Sequence, residues 1–159
     1  MKYRSVFREG LFEGQTIVVT GAGSGIGRCV AHELAALGAH IVLVGRKREK
    51  LERVYAEIVE DGGQGSIATL DIRDEDAVRR TVSEIVKERG RIHALVNNAG
   101  GQYPAPLAML TKKGFEAVVA TNLTGGFLLA RETFMQSMST HGGAIVNMLA
   151  DMWGGMPMM

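Results

Sequence analysis

Residues 16–27 read TIVVTGAGSGIG, an apolar run that leads into a glycine-rich turn. Consecutive apolar residues without polar alternation are typical of a strand that is buried on both faces of a parallel sheet. After the turn, apolar residues recur at helical spacing from Gly25 to Leu37, and Gly38 stands where a helix would end. The stretch therefore predicts a strand over Ile17–Val19, a tight turn and a first helix, which together open an α/β sheet.

The same alternation of apolar runs and amphipathic segments continues along the chain. We predict further strands over four segments: His40–Val44, Ser66–Leu70, His93–Val96 and Ala144–Leu149. Helices are predicted between them, one containing Leu51–Val59, one capped by Asp74 and containing Val78–Val86, and one or two within residues 111–138. Since parallel strands need crossovers of this length, the order βαβαβαβαβ predicts a doubly wound parallel sheet, a Rossmann-type three-layer α/β/α fold. We expect residues 1–159 to form a single such domain that is incomplete at its C-terminus, with later strands missing.

Composition and charge argue against several classes of protein. The chain is 46% hydrophobic and 22% charged, which is typical of a folded globular protein, and its net charge of +1 gives no general attraction to nucleic acid or to a membrane surface. No apolar run is long enough to span a bilayer, and residues 1–14 lack the apolar core of a secretion signal. We therefore expect a cytoplasmic protein without nucleic-acid or membrane partners, with a peroxisomal location left open.

Cysteine and histidine do not form a recognisable site. Cys29 is the only cysteine, and its place in the first helix predicts a small buried residue rather than a reactive thiol. The four histidines show no metal-ligand spacing: His32, His40, His93 and His141. We expect no metal site and no catalytic histidine.

The glycine-rich turn has the chemistry of a phosphate-binding loop. Helix N-termini offer free N–H groups and a positive dipole end to an anion, and glycine lets the backbone come close to it. The spacing Gly21-x-x-x-Gly25-x-Gly27 differs from the common G-x-G-x-x-G pattern of dinucleotide-binding proteins. A simple tight turn would also need glycine, but the strand before it and the helix after it favour a dinucleotide site. The predicted cofactor contacts in this turn are Gly21, Ser24, Gly25, Ile26 and Gly27.

The residue after the second strand selects the cofactor in such a fold. An acidic residue there would bind the ribose hydroxyls of NAD, whereas this chain has Gly45-Arg46-Lys47. Arg46 could pair with a 2′-phosphate, so we predict NADP(H) rather than NAD(H), although Arg46 could also simply start a surface helix. Asp71, with Ile72 beside it, follows the third strand and is predicted to accept a hydrogen bond from the adenine amino group. The alternative is that Asp71 caps the next helix.

Together these motifs resemble the short-chain dehydrogenase/reductase superfamily over essentially the whole chain. The matching segments are Thr20–Gly27, Asp71, Asn97–Gly100, Thr121-Asn122 and Gly143–Asn147. The resemblance implies that Asn98, Ala99 and Gly100 support the central sheet and pass beside the cofactor. It also implies that Asn122 belongs to the family's catalytic Asn-Ser-Tyr-Lys set, in which a helix irregularity at the Asn lets its backbone hold a water of the proton relay. A polar residue that bonds within a helix kink is the alternative, and the family implies a homodimer or homotetramer.

The chain departs from the family pattern at two places. The catalytic Ser of the family would fall at Ala150, which has no hydroxyl, and the Tyr-x-x-x-Lys segment would lie beyond Met159. None of the three tyrosines stands at such a place, although Tyr103 follows the Asn-Asn-Ala-Gly turn and could line the substrate cleft. Methionines near the end are either ordinary core or the border of a substrate cavity: Met148, Met152, Met156, Met158 and Met159.

Within the superfamily, the chain is similar to the branch of peroxisomal trans-2-enoyl-CoA reductases and 2,4-dienoyl-CoA reductases, which departs from the usual tetrad. The shared segments are Asn97–Tyr103, Pro106, Lys113–Phe115, Thr121–Gly125 and His141–Gly143. This resemblance implies that NADPH reduces a small-molecule acyl-CoA thioester, a 2-enoyl-CoA, or a related conjugated carbonyl. It extends to bacterial dehydrogenases of terpenoid-alcohol catabolism. Alternatives on the same fold are an NADP-dependent alcohol dehydrogenase or 3-oxoacyl reductase, and a non-catalytic nucleotide-binding module.

Overall fold

The computed structural model describes residues 5–150. Five strands form one sheet: β1 (Thr16–Thr20), β2 (His40–Gly45), β3 (Gln64–Thr69), β4 (Ala94–Asn97) and β5 (Ala144–Asn147). Three long helices connect the first four strands: α1 (Gly25–Ala36), α2 (Arg48–Glu60) and α3 (Glu75–Arg89). Between β4 and β5 the chain forms a 3-10 turn (Leu107–Met109) and then a run of helix made of α4 (Lys112–Val119), a π-helical segment (Ala120–Gly125), α5 (Gly126–Thr133), a second π-helical segment (Phe134–Met138) and α6 (Ser139–His141). Within residues 5–150, no helix combines the length and the apolar character needed to cross a membrane.

All strand pairs in the sheet are parallel, and the order across it is β3-β2-β1-β4-β5. The chain builds outward from β1 to β3 and then returns across the sheet to place β4 on the other side of β1. This order confirms the predicted doubly wound parallel sheet. The strand order reverses between β1 and β4, and the crevice outside their carboxyl ends is where such sheets bind ligands.

The central strands are buried on both faces, which explains their unbroken apolar sequence. Ile17 and Val19 pack with residues of α1 and α2 on one face, while Val18 packs with residues of α3 and α5 on the other. All three side chains are at most 2% exposed. Each fully buried aliphatic side chain contributes about 1.5–3 kcal/mol, so burial on both sides is the main force that fixes β1 in the centre of the sheet.

Strand ends differ from the predicted ones by one or two residues. β3 begins before the predicted Ser66, because the polar Gln64 already pairs with His40 of β2. β5 ends at Asn147 rather than at the predicted Leu149, since its ladder with β4 ends there. Apolar character therefore predicts that a strand exists, whereas the hydrogen-bond partners on the neighbouring strand determine where it begins and ends.

The first helix buries a face made of small residues. Gly27, Ala31 and Ala35, four residues apart, are buried. Cys29 lies about 200° around the helix from Gly27 and is exposed, so the prediction of a buried cysteine is wrong. Ile26, an apolar residue of the same helix, is 60% exposed. The reason is that small residues let α1 approach the sheet closely, and this contact decides which face is covered.

His93, which directly precedes β4, forms hydrogen bonds to the first residues of β1 and β5. Its Nδ1 accepts a hydrogen bond from the Thr16 N–H at 2.9 Å. The backbone N–H of His93 donates to the Thr16 carbonyl at 2.9 Å, and its carbonyl accepts from the Ala144 N–H at 3.0 Å. Because Nδ1 accepts a bond, it carries no proton. Burial, followed by the charge of Arg91, lowers the pKa of His93 below its ordinary value.

We expect His93 to make the free energy of unfolding depend on pH. Its pKa is lower in the folded protein than the ordinary value of 6.5 that applies after unfolding. The stabilisation is therefore complete above that ordinary value and is lost as the pH falls through the lowered folded pKa. His93→Gln supplies an acceptor that does not titrate. Both proteins should lose stability when the pH falls from about 7.5 to about 5.5. The loss of unfolding free energy should be about 1 kcal/mol smaller in His93→Gln than in the parent, and this difference is the usual value of one hydrogen bond.

Denaturant unfolding at several pH values measures this difference. His141→Gln, which changes an exposed histidine of α6, is the matched control and should follow the parent. His40, whose pKa is also lowered by burial, is present in all three proteins and contributes the same residual slope. A curve for His93→Gln that runs parallel to that of the parent would contradict the prediction.

Candidate functional site

A cleft of about 320 Å³ opens at the carboxyl ends of the central strands. Most of the predicted site residues line it: Gly21, Ser24, Ile26, Arg46, Asp71, Ile72, Asn98, Ala99 and Gly100. The predicted residues Gly25, Gly27 and Asn122 lie outside the lining. The parallel sheet thus brings the ends of four strands, which are far apart in the sequence, to one place.

The turn between β1 and α1 has a backbone that glycine adopts readily and other residues do not. Gly21 and Gly25 have positive φ angles of 66° and 54°. At Gly27, a Cβ atom would lie 2.4 Å from the carbonyl oxygen of Gly21 and 2.5 Å from Asn98 Nδ2. Such distances leave no room for a side chain, so Gly27 is packed beneath the cleft instead of lining it. These glycines bring the turn close to the segment after β4.

The N-terminus of α1 is suited to an anion. The first N–H groups of any helix have no partner within it, and here the hydroxyl of Ser24, which precedes α1, forms no capping bond to them. Ser24 and Ile26 line the cleft. The free N–H groups and the positive end of the helix dipole therefore favour a phosphate group at this point.

Thr20, the last residue of β1, joins the turn to β4. Its hydroxyl accepts hydrogen bonds from the N–H groups of Asn98 at 2.9 Å and Ala99 at 2.8 Å, and it donates to the Val96 carbonyl at 3.2 Å. Asn98 Nδ2 in turn donates to the Thr20 carbonyl at 2.9 Å. No separate role for Thr20 is predicted from the sequence. A hydroxyl at the end of a buried strand, directly before a glycine turn, is the signal that could have revealed it.

Asn122 lies in the π-helical segment between α4 and α5, so the expected helix irregularity is present at this residue. Its side chain pairs with the backbone of Gly101, since Nδ2 donates to the carbonyl at 2.9 Å and Oδ1 accepts from the N–H at 2.9 Å. This pair holds the segment after β4 beside the cleft. Thr121, which is not among the predicted cofactor contacts, lines the cleft. The part of Asn122 in a proton relay stays a prediction.

Asp71 and Arg73 form an ion pair in the lining of the cleft. Arg73 Nε lies 2.9 Å from Oδ1, its Nη2 lies 2.5 Å from Oδ2, and its backbone N–H donates to Oδ1 at 3.1 Å. These bonds, with a smaller effect from the charge of Arg46, lower the pKa of Asp71 to about 2. The cap of α3 is Asp74, which accepts from the Ala77 N–H at 2.9 Å. The alternative that Asp71 caps this helix is therefore wrong.

Arg46 follows β2 and lies in the same lining. The Leu70 N–H donates to the Gly45 carbonyl at 2.9 Å, which keeps the ends of β2 and β3 side by side. Arg46 and Asp71 directly follow Gly45 and Leu70, the two residues of this bonded pair. In the part of the chain that the structure describes, no carboxylate forms an ion pair with Arg46, and α2 begins only at Arg48. Arg46 therefore does not start this helix, and its guanidinium can bind an anion.

Other candidates lie away from this cleft. Tyr103 packs its ring against Gly114 of α4, where a Cβ atom would lie 2.6 Å from the ring, and it does not line the cleft. Met148 is exposed, and the remaining methionines of the Met-rich stretch fall outside the described residues. Among residues 5–150, no group of three or more His, Cys, Asp or Glu side chains could hold a metal ion.

Comparison with known proteins identifies this arrangement. A family model described as short chain dehydrogenase matches residues 15–158. The citronellol catabolism dehydrogenase AtuB of Pseudomonas aeruginosa PAO1 is 69% identical, with a TM-score of 0.93 over 99% of this chain and 64% of that chain. The solved structure of a metagenomic short-chain oxidoreductase in complex with NADP is 37% identical, with a TM-score of 0.81 over 87% of this chain and 64% of that one.

The curated relatives point to the same family but to varied substrates. A probable 2,4-dienoyl-CoA reductase of Bacillus subtilis (strain 168) is 35% identical over 144 residues, which are 89% of this chain and 57% of the relative. Other relatives carry the names of dehydrogenases for different substrates, such as glucose and gluconate. The chain spans about half the length of the curated relatives it matches. With its parallel sheet, its glycine turn and its Asn-Asn-Ala-Gly segment, the chain belongs to the short-chain dehydrogenase/reductase family of NAD(P)-dependent oxidoreductases.

Proposed function

We propose that the protein is an NADPH-dependent oxidoreductase that acts on a small-molecule carbonyl compound or the corresponding alcohol. The observation that carries this proposal is the meeting, in one cleft, of the glycine turn before α1 with Arg46, which occupies the place of an acidic residue. A glycine turn alone accepts a pyrophosphate, and a cation beside the adenosine ribose adds a partner for a further phosphate. Solved relatives of similar identity hold NADP in one case and NAD⁺ in another, so the choice of NADPH rests on Arg46.

The residues present fit such a cofactor. Gly21 has a positive φ and Gly27 has no room for a side chain, so the turn is made of backbone alone. Because no side chain covers the turn at these two residues, a pyrophosphate could approach the N–H groups of α1. Arg46 would bind the 2′-phosphate, and Asp71 would accept a hydrogen bond from the adenine amino group. Residues 98–100 would run beside the rest of the cofactor. When bound, the nicotinamide would supply or accept a hydride.

The first candidate substrate is a conjugated thioester such as a 2-enoyl-CoA. Ala150 stands where the family's catalytic Ser would fall, and the enoyl reductase branch, which the chain resembles, departs from the usual tetrad. The relative named as a probable 2,4-dienoyl-CoA reductase supports this class. Asn122 would then hold a water of the proton relay through the backbone of its π-helical segment. We also expect the protein to act as a homodimer or homotetramer, as the family resemblance implies.

A terpenoid alcohol is the second candidate substrate, and one observation favours it. The relative that is 69% identical is named a citronellol catabolism dehydrogenase, and the likeness extends over 99% of this chain. Oxidation of an alcohol would use the same site, with a hydride passing from the alcohol carbon to NADP⁺ and the hydroxyl proton released to solvent. A 3-oxoacyl reductase would be a further variant of this chemistry, whereas a nucleotide-binding module would bind NADPH without turnover.

Gly27→Ala should weaken NADPH binding by about tenfold or more, because its methyl group would displace the Gly21 carbonyl and the Asn98 side chain. The same overpacking should lower the free energy of unfolding by about 1–3 kcal/mol. Gly126→Ala is the control, since its Cβ would lie at an ordinary 3.8 Å from Asn97. Fluorescence titration with NADPH and denaturant unfolding measure both effects. Unchanged NADPH affinity in Gly27→Ala would contradict the placement of the cofactor.

Arg46→Asp should reverse the preference for NADPH over NADH. Loss of charged hydrogen bonds to a phosphate costs about 1.5–3 kcal/mol, so the Kd for NADPH should rise about 10- to 100-fold while that for NADH changes little. Arg48→Asp makes the same change of charge on the exposed surface of α2, where Arg48 pairs with Glu52, and should leave the preference intact. A preference that Arg46→Asp does not alter would exclude Arg46 as the phosphate ligand.

The two candidate substrates are distinguished by the direction of turnover. The full-length protein should oxidise NADPH in the presence of short 2-enoyl-CoA thioesters, followed by the loss of NADPH absorbance. Citronellol with NADP⁺ is the second assay, in which oxidation of the alcohol would form NADPH. Formation of NADPH with citronellol and no turnover of enoyl-CoA at several chain lengths would replace the first candidate by the second. NADPH binding without turnover in either assay would leave the nucleotide-binding module.

A further inference from the structure

Two arginines and one carboxylate share the lining of the cleft near the ends of β2 and β3. Arg46 comes directly after β2, whereas Asp71 and Arg73 come from the segment after β3. Arg73 binds Asp71 at both carboxylate oxygens, at 2.9 Å and 2.5 Å. The two arginines therefore differ, because Arg73 is paired while no carboxylate of the described residues pairs with Arg46.

The carboxylate of Asp71 is unfavourable for an anion that binds at Arg46. The hydrogen bonds from Arg73 hold the pKa of Asp71 at about 2, so the group is charged at neutral pH. The charge of Arg46 also lowers this pKa, which means that Arg46 and Asp71 lie within electrostatic reach of each other. Without Arg73, the carboxylate would attract the guanidinium of Arg46 and repel a phosphate.

We propose that Arg73 is a positioning residue for cofactor choice. It binds Asp71 and balances the negative charge of this carboxylate, and it thereby keeps Arg46 available for the 2′-phosphate of NADPH. This inference rests on the proposed function, because it assumes that NADPH binds in the cleft. The backbone N–H of Arg73 adds a third bond to Asp71 at 3.1 Å, which fixes the orientation of the carboxylate as well as its charge. Arg73 acts on the phosphate only through Asp71 and Arg46.

The test compares the Kd values for NADPH and NADH, measured by nicotinamide fluorescence, in the full-length protein and its variants. Arg73→Gln should weaken NADPH about 5- to 20-fold and NADH less than about twofold, because only NADPH carries the phosphate that Asp71 would repel. Adding Asp71→Asn to Arg73→Gln should restore the NADPH/NADH ratio to within about threefold of the parent, since the competing charge is then gone. Arg79→Gln is the control, as Arg79 pairs with Asp76 on the exposed side of α3.

Each outcome decides the proposal. A ratio that Arg73→Gln leaves equal to that of the parent overturns it. A ratio that Asp71→Asn fails to restore also overturns it, because Arg73 would then contact the phosphate itself. A parent that prefers NADH, or that binds neither cofactor, contradicts the proposed function and this inference with it, so the ratio of the parent separates the two failures. A loss of stability would weaken both cofactors alike and leave the ratio unchanged.

Discussion

The hydroxyl of Thr20 holds together the two main-chain segments beside the cleft, the glycine turn after β1 and the segment after β4. It is buried at the point where β1 and β4 end side by side, and it is bonded at once to Val96, Asn98 and Ala99. A buried polar group without a partner costs about 1–3 kcal/mol, so these groups satisfy one another in a narrow range of arrangements. The glycine turn after β1 and the segment after β4 therefore have a defined separation, and the cleft lies between them.

The close packing of the glycine turn depends on this same hydrogen-bond network. Asn98 Nδ2 donates to the Thr20 carbonyl, and the same nitrogen lies 2.5 Å from the point where a Cβ of Gly27 would stand. A side chain at Gly27 would therefore break the network as well as block the turn. Close approach of backbone to backbone is required here, and only glycine permits it. The binding surface is in this way made of main-chain groups whose positions depend on contacts beneath them.

The charged side chains of the cleft come from a different part of the sheet, the segments after β2 and β3. Arg46 and Asp71 follow neighbouring strands, and Arg73 pairs with Asp71. On the proposed function, the glycine turn would bind what NAD and NADP share, while these side chains would respond to the one group that distinguishes them. Affinity for a dinucleotide and choice between dinucleotides would thus depend on separate residues. Exposed charges are free to change without disturbing the packed turn, which is a physical reason for this division.

The sequence by itself determined the order of strands and helices along the chain, the glycine turn and the Asp74 cap, because apolar periodicity, glycine conformation and capping act over a few residues. Only the tertiary structure decided the rest. The exposure of Cys29 depends on which face of α1 meets the sheet, and strand ends depend on the neighbouring ladder. The bonds of Thr20 and of Asn122 join segments far apart in the chain. Such contacts follow from packing of the whole sheet, which no local pattern contains.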